Sequence, residues 1–252
     1  SELELMTQRR SPRLRLGGVS IDAEIAGRFY QERAIRRIAE SFDVDGQRKA
    51  LVVMATGAGK TRTVVALADV LVRANWAKRI LFLADRQALV KQAVNAFKEH
   101  LPDSSPVNLL TEKDTDGRVY VSTYQTMMNL IPTKDADGVS RFGPGHFDLV
   151  VIDEAHRSVF AKYRAIFDWF DSLLVGLTAT PKSEIDRNTY DLFDLETGVP
   201  TDEYGIDAAV EDGFLVPLRA VSVPLKFQRE GIRYADLPPE EQAAWDELEW
   251  DD

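Results

Sequence analysis

Short apolar runs alternate along the chain with longer amphipathic stretches. Continuous apolar runs, typical of strands that are buried on both faces, occupy 51–55, 79–84, 118–122, 147–152 and 173–177. Helical periodicity marks 60–73, 86–100, 159–170 and a short stretch near Tyr124, and an earlier amphipathic stretch runs from Asp22 to about Ser41. This alternation predicts an α/β fold in which a mainly parallel sheet is covered by helices on both faces. Functional sites in such folds lie beyond the carboxyl ends of the strands.

The composition is typical of a soluble globular domain. The 252 residues are 44% hydrophobic and 29% charged, which is enough to bury the core of one domain. The longest apolar runs have the length of strands and fall far short of the ~20 residues that span a bilayer, so we expect no membrane partner. The chain contains no cysteine. This excludes disulfides, thiolate zinc sites and iron–sulfur clusters, and it favours a cytoplasmic location.

The net charge is unevenly distributed. The chain carries −10 in total, and eight acidic residues without any Lys or Arg lie between Asp236 and Asp252. The preceding 235 residues therefore carry −2, which is the −10 of the chain less those eight acids. A nearly neutral body is compatible with a nucleic-acid partner, but contacts with DNA must then come from local basic patches.

A glycine loop follows the first predicted strand. Its core "GAGKT", at 57–61, stands between that strand and a predicted helix, as a phosphate-binding loop requires. In such loops backbone N–H groups surround the phosphates, Lys60 would reach the β and γ oxygens, and the Thr61 hydroxyl would ligate Mg²⁺. The strict pattern has a further glycine where this chain has Met54. A simple glycine turn is the alternative. Lys60 and Thr61 stand at the positions that the phosphate-loop pattern requires, and this favours a nucleotide site.

Two further motifs follow later strands. Asp153 and Glu154 stand directly after the fourth apolar run, where one carboxylate can hold Mg²⁺ and its neighbour can activate the attacking water. Thr178 and Thr180 follow the last run. Taken alone, the acidic pair could be ordinary surface residues. The threonines could likewise belong to an ordinary turn that ends at a proline. Their order after the glycine loop favours nucleotide hydrolysis.

In this order, "MATGAGKT", "DEAH" and "LTATP" resemble motifs I, II and III of the first RecA-like domain of superfamily 2 helicases and translocases. Longer stretches, among them "RFYQERAI", "RILFLADRQALVKQA", "VSTYQTM" and "GLTATPKSEIDRNTYDLF", are most similar to the motor of the R (restriction) subunit of type I restriction-modification enzymes. The resemblance covers about 28–217. It implies a three-layer RecA-like (P-loop NTPase) fold and an ATP- and Mg²⁺-dependent motor that drives double-stranded DNA translocation before cleavage. It also implies modification (methyltransferase) and specificity subunits as partners.

The resemblance assigns roles to single residues. The catalytic group would be Lys60, Asp153, Glu154 and His156, and Thr61 with Asp153 would hold the metal. The nucleotide would be bound by Arg28, Tyr30, Gln31, Thr56, Gly57, Ala58, Gly59, Lys60, Thr61 and Arg62, with Gln31 reading the adenine edge. DNA contacts and coupling to a partner domain would come from Arg86, Lys91, Ser122, Thr123, Gln125, Thr178 and Thr180. Two alternatives stay open, because Tyr30 could simply be core and 86–100 could be an ordinary amphipathic surface helix.

The resemblance also implies that a second domain takes part in the reaction. We expect 1–27 to be a linker or the end of an upstream nuclease domain, 28–235 to be motor domain 1, and 236–252 to be an acidic linker toward a second RecA-like domain. That second domain would supply arginine fingers, so we expect this chain alone to bind nucleotide but hydrolyse it slowly. The alternative functions are a strand-separating helicase or another restriction or remodelling translocase, a P-loop kinase or nucleotide-gated binding module, and a docking piece with a vestigial ATP site.

Overall fold

The computed structural model of the protein describes residues 12–112, 115–134, 138–155, 157–180 and 182–217. The strands are β1 (Lys49–Met54), β2 (Ile80–Ala84), β3 (Pro106–Asn108), β4 (Val119–Thr123), β5 (Leu149–Ile152), β6 (Leu173–Thr178) and β7 (Asp202–Tyr204). The α-helices are α1 (Ala23–Ala26), α2 (Phe29–Asp43), α3 (Lys60–Arg73), α4 (Gln87–His100), α5 (Tyr124–Leu130), α6 (Arg157–Trp169), α7 (Arg187–Leu192) and α8 (Ile206–Glu211).

Within the described residues, the strands form one seven-stranded sheet in the order β3-β4-β2-β5-β6-β1-β7. Every adjacent pair is parallel. Because all strands point the same way, the segments that follow β1, β6 and β5 meet at one edge of the sheet, and those that follow β2 and β4 continue the same edge. The predicted α/β class with a parallel sheet is confirmed.

Helices cover both faces of the sheet. Alternate residues of β1 enter different cores: Val52 packs with apolar residues of α1 to α4, and Val53 packs with those of α5 to α7. Each central strand is therefore buried on both faces, and this explains why its sequence is a continuous apolar run. β3 and β7 have three residues each and stand at the two edges. Strands of three residues are too short to be predicted from the hydrophobic pattern.

The region before β1 differs from the prediction. In place of one helix from Asp22 to about Ser41, the chain forms α1 and α2, which are separated at Gly27. A Cβ at Gly27 would lie 2.5 Å from the carbonyl oxygen of Ala23, so the chain can turn this tightly only with glycine. Asp22 caps α1 by accepting a hydrogen bond from the N–H of Glu24. In contrast, α3 runs from Lys60 to Arg73 as predicted.

Contacts within the chain divide it into two units, 1–215 and 216–252. The sheet and all the helices above belong to the first unit. Among the described residues, none of the helices is both long and apolar enough to cross a membrane. The predicted acidic linker at 236–252 lies outside the described residues.

Candidate nucleotide site and adjoining DNA-contact surface

The glycine loop after β1 has the backbone geometry of an anion site. Gly57 and Gly59 have φ values of 85° and 93°, in the left-handed region that favours glycine. The 14-residue helix α3 starts directly afterwards, at Lys60, so its unpaired N–H groups and the positive end of its dipole face the loop. Thr56 and Gly57 are exposed, and Lys60 and Thr61 are half-buried. The loop is therefore accessible to a phosphate.

Two residues of α2 support the loop from behind. The Tyr30 hydroxyl donates to the carbonyl oxygen of Ala58 at 2.9 Å. The Gln31 amide nitrogen lies 3.4 Å from the carbonyl oxygens of both Ala58 and Gly59, and a Cβ at Gly59 would approach that nitrogen to 2.6 Å. Tyr30 has no exposed surface. The structure thus places Tyr30 in the core instead of a pocket wall, because its ring is covered on all sides.

An aromatic cluster that the sequence analysis did not single out covers this ring. Tyr204 stacks on Tyr30 with ring centroids 3.8 Å apart, and Phe214 meets Tyr30 edge-on at 5.2 Å. The Arg28 guanidinium lies 5.2 Å above the Phe214 ring and donates to the Tyr30 hydroxyl at 2.8 Å. Burial, reinforced by a hydrogen bond to Asp212, raises the pKa of Tyr204 to about 12. The signal for this cluster was two aromatic residues, Tyr204 and Phe214, in the stretch 198–217.

Two further contacts are made by residues of the loop and of the first turn of α3. A Cβ at Gly57 would lie 3.2 Å from Cδ2 of Leu215, so the chain after α8 passes close to the loop. Arg62, predicted to bind nucleotide, is exposed, and its guanidinium donates to the carbonyl oxygen of Glu24 at 2.8 Å. In this arrangement Arg62 joins α3 to α1 instead of pointing to the loop.

The acidic pair after β5 faces the loop lysine. Lys60 Nζ lies 3.1 Å from Glu154 Oε1. Asp153 is only 7% exposed, and this burial raises the pKa of Asp153 to about 6, although the Lys60 charge opposes the shift. Glu154 has a φ of 57°, a left-handed value that is uncommon for a residue with a side chain and is concentrated at functional sites. The sheet thus brings Lys60 together with an acidic pair, although Lys60 and Glu154 are 94 residues apart in sequence.

The backbone of the acidic segment is held from three directions. The N–H of Asp153 donates to the carbonyl oxygen of Leu83 in β2 at 2.9 Å, and the N–H of Ala155 donates to that of Leu177 in β6 at 2.7 Å. The Tyr124 hydroxyl donates to the carbonyl oxygen of Asp153 at 2.7 Å. Burial raises the pKa of Tyr124 well above its ordinary value, so this hydroxyl stays a proton donor. The sequence analysis did not identify Tyr124 as a site residue.

The third motif lies between the loop and the acidic pair. Thr178, at the end of β6, is completely buried and pairs in register with Val53 of β1. Its hydroxyl accepts a hydrogen bond from the N–H of Thr180 at 3.1 Å. The Thr178 side chain is therefore buried, and its hydroxyl is held within its own turn. His156, the remaining predicted member of this group, lies outside the described residues.

The donor set at this edge fits a magnesium ion. Thr61 offers a hydroxyl and Asp153 a nearly buried carboxylate whose charge is costly unless a cation neutralises it. Among the described residues there is no cluster of three or more His, Cys, Asp or Glu side chains that could enclose a metal. Two protein ligands, Thr61 and Asp153, are enough for Mg²⁺, because this ion usually keeps several water ligands and binds substrate phosphates.

The same edge continues toward β2 and β4 with a different character. We name two parts of this edge after the roles that the resemblance implies for them. The segments after β1, β5 and β6 are the nucleotide half, and those after β2 and β4, together with α4, are the DNA half. The side chain of Arg86 is 80% exposed, and Lys91 and Gln125 are also exposed. Ser122 is completely buried and its hydroxyl donates to the carbonyl oxygen of Thr123. The hydroxyl of Ser122 is therefore not exposed in this structure.

Thr123 is a capping residue. It is 8% exposed, and its hydroxyl accepts a hydrogen bond from the N–H of Thr126 at 3.2 Å, which fixes the first turn of α5. Beside it a groove of about 710 Å³ with a mixed polar and apolar lining runs between α4 and the segment after β3. Its walls include Gln87, Lys91, Asn95, Lys98, Asn108 and Thr111. Neither lysine is ion-paired with a described residue, so both charges are available to a ligand.

The fold and the site define a RecA-like nucleotide-binding domain of the P-loop class. The model of the family described as "Type III restriction enzyme, res subunit" matches residues 24–183. The chain belongs to this family. An Escherichia coli protein, "Type I restriction enzyme EcoAI endonuclease subunit", is 36% identical over 212 residues, which are 82% of this chain and 25% of that protein. The chain thus spans about a quarter of the length of this curated relative.

Solved structures agree with this assignment. A fragment of an HsdR subunit of a type I restriction enzyme from Vibrio vulnificus has 28% identity and a TM-score of 0.55, over 74% of this chain and 32% of that one. The Hef helicase domain of Pyrococcus furiosus has 21% identity and a TM-score of 0.57, over 80% of this chain and 43% of that one, which supports the fold alone. The resemblance to the first motor domain of type I restriction R subunits is confirmed.

Proposed function

We propose that this chain is the ATP-binding and ATP-hydrolysing first motor domain of a type I restriction R subunit, of the DEAH type, and that it drives translocation along double-stranded DNA. One observation carries the proposal. The fold brings Lys60 of the glycine loop to within 3.1 Å of Glu154, beside the buried Asp153, so phosphate-binding and water-activating groups meet at one edge of the sheet.

Each residue has a chemical role in this proposal. Lys60 and the N–H groups at the start of α3 would bind the β and γ phosphates. Thr61 and Asp153 would hold Mg²⁺, which when bound neutralises the charge that develops on the transferring phosphoryl group. The phosphates would draw Lys60 away from Glu154. Glu154 would then be free to orient the attacking water and accept its proton.

The DNA half supports a nucleic-acid partner. Arg86, Lys91 and Lys98 form an exposed basic track along the start and outer face of α4, suited to phosphate contacts that do not depend on base sequence. Gln125 adds an exposed amide beside it. We infer that recognition of a particular DNA site comes from a specificity subunit, that a modification subunit completes the assembly, and that the assembly acts in the cytoplasm.

We further propose that this domain hydrolyses ATP slowly unless a second RecA-like domain supplies arginine fingers. Strong DNA-stimulated turnover by the 252-residue chain alone would contradict this part of the proposal. In the protein that joins both domains, displacement of a third DNA strand without opening of the duplex is the result expected of a translocase. Separation of the duplex strands would identify a helicase instead.

Substitution of the loop lysine tests the nucleotide site directly. We expect Lys60→Ala to weaken Mg·ATP binding by about ten- to a hundredfold, the scale of a lost contact to a charged group, with DNA binding retained. The matched control is Lys49→Ala, at the opposite end of β1, where the lysine pairs with Asp194 at 2.8 Å. It should leave nucleotide affinity unchanged in calorimetry. Loss of DNA binding with nucleotide affinity preserved in Lys60→Ala would contradict the role of Lys60.

A further inference from the structure

Tyr124 is the first residue of α5, and its hydroxyl reaches across to the nucleotide half. It lies in the stretch that carries Thr123 and Gln125, yet its ring is 1% exposed and its hydroxyl bonds to the carbonyl oxygen of Asp153 at 2.7 Å. Its ring stacks on Tyr163 of α6, with centroids 5.2 Å apart. Among the described residues, this is the one side-chain hydrogen bond that joins the two halves and ends on the acidic segment.

The two ends of this bond belong to elements with different tasks. At one end, Thr123 caps α5 and Gln125 is exposed on its first turn. DNA that contacts Gln125 would therefore act on the position of this turn. At the other end, the carbonyl that accepts the bond belongs to Asp153, and the next residue is Glu154 with its left-handed φ of 57°. A change in the position of the Asp153 peptide is transmitted directly to both carboxylates.

We propose that Tyr124 is the positioning residue that couples DNA contact on α5 to the geometry of Asp153 and Glu154. The inference rests on the proposed function, because it needs both a DNA-contact surface and an ATP site. The buried hydrogen bond ties the first turn of α5 to the acidic segment, so that DNA binding favours the arrangement in which Glu154 is aligned for hydrolysis. For the two binding equilibria, linkage is reciprocal: the factor by which DNA changes the affinity for nucleotide is the factor by which nucleotide changes the affinity for DNA.

The other anchors of the acidic segment make this role specific. The bonds from Asp153 to Leu83 and from Ala155 to Leu177 join backbone atoms of neighbouring strands, so they move only with the sheet. The bond from Tyr124 comes from a side chain on a short helix at the edge. It is therefore the anchor that can change without a change of the sheet.

The test compares Tyr124→Phe with Tyr163→Phe in the protein that carries this domain together with its second RecA-like domain. The first substitution keeps the ring and removes the bridging hydroxyl. The second removes a hydroxyl from the ring that stacks on it, and that hydroxyl has no hydrogen bond to a described residue. ATP turnover is measured with and without duplex DNA, along with KM for ATP and the DNA Kd with and without a non-hydrolysable Mg·ATP analogue.

For Tyr124→Phe we expect the ratio of DNA-stimulated to basal kcat to fall by about tenfold, the effect of one lost buried hydrogen bond. KM for ATP should change by less than about twofold. The analogue should change the DNA Kd less in this variant than in the wild type. Tyr163→Phe should match the wild type. The comparison of the two variants separates coupling from packing, because both substitutions remove one hydroxyl from the same pair of stacked rings.

Three results would overturn the inference. One is an unchanged stimulation ratio in Tyr124→Phe. Another is a parallel loss of nucleotide affinity, DNA affinity and thermal stability, which would give Tyr124 a merely structural role. The third is an equal effect of Tyr163→Phe. If the wild-type protein shows no DNA-stimulated turnover at all, it is the proposed function that fails, and this outcome is visible before either variant is compared.

Discussion

The nucleotide half and the DNA half share one edge of the sheet but are built in opposite ways. In the nucleotide half, Asp153 and Thr178 are buried, and Lys60 is held against Glu154. In the DNA half, Arg86, Lys91 and Lys98 are exposed, and the two lysines have no ion-pair partner among the described residues. The first arrangement fixes charges in place, and the second leaves the two lysine charges exposed to solvent.

This difference separates two kinds of chemistry. Hydrolysis requires a few charges at fixed positions in a site of low dielectric, where each is strong but costly to the fold. Sliding contact with a phosphate backbone requires positive charge that is not tied to one geometry. Substitutions in the nucleotide half should therefore have large and specific effects, whereas substitutions of the exposed basic residues in the DNA half should have small effects that add and depend on salt.

The largest effect is expected from Glu154→Gln. The amide cannot accept the proton of the attacking water, so kcat should fall by about a thousandfold, within the range for loss of a general base. Binding of Mg·ATP should be kept or slightly tightened, because the substitution removes the charge that competes with the phosphates for Lys60. Turnover assays and nucleotide titration on the same samples measure both quantities.

Glu184→Gln is the matched control, because Glu184 is an exposed acid a few residues after the third motif. It should leave turnover and affinity at wild-type values. If Glu154→Gln weakened nucleotide binding as strongly as turnover, Glu154 would be part of the binding site and the base would have to be sought elsewhere.

A second prediction concerns stability and pH. Burial raises the pKa of Asp153 to about 6, above its value in the unfolded chain, so the folded state binds the extra proton. The wild-type fold should therefore lose stability as pH rises from about 4 to about 7. Asp153→Asn removes this cost and should raise the free energy of unfolding by about 1 to 3 kcal/mol at pH 7.5, with no gain below about pH 4.

Denaturant unfolding at both pH values measures this difference. The control is Asp103→Asn, at an exposed position, which should change stability little at either pH. Saturating Mg·ATP should stabilise the wild type more than Asp153→Asn, because the ion needs the carboxylate. A destabilised Asp153→Asn at pH 7.5 would mean that attraction to the Lys60 charge outweighs the cost of burying the Asp153 carboxylate.

The two halves also differ in how far the sequence predicted them. The glycine loop was predicted because its chemistry is local: Gly57, Gly59 and Lys60 determine the turn, the helix start and the charge by their own geometry. The residues around it were less predictable. Tyr30 and Ser122 have residue types suited to ligand contact, but their burial depends on distant partners such as Tyr204, and no spacing rule reveals such partners.

The same reason explains why the Tyr124 contact was missed. A tyrosine within an apolar strand-to-helix junction reads as core, and Tyr124 is indeed core by burial. Its function depends on the position of one hydroxyl relative to a carbonyl 29 residues away in sequence. The order of β2, β4 and β5 in the sheet creates this proximity, and the hydrophobic pattern predicts the strands but not their order.

The smallest effects are expected in the DNA half. Each of Lys91→Gln and Lys98→Gln should reduce the slope of log K against log salt by about 1, with a few-fold loss of affinity for duplex DNA of any sequence. Ser122→Ala should leave DNA affinity within about twofold of the wild type, because its hydroxyl is buried and bonded to Thr123. Titrations of one duplex at several salt concentrations measure all three. An unchanged slope for both lysine variants, or a loss in Ser122→Ala as large as theirs, would move the DNA path away from α4. The exposed track would then be only a solvated helix face.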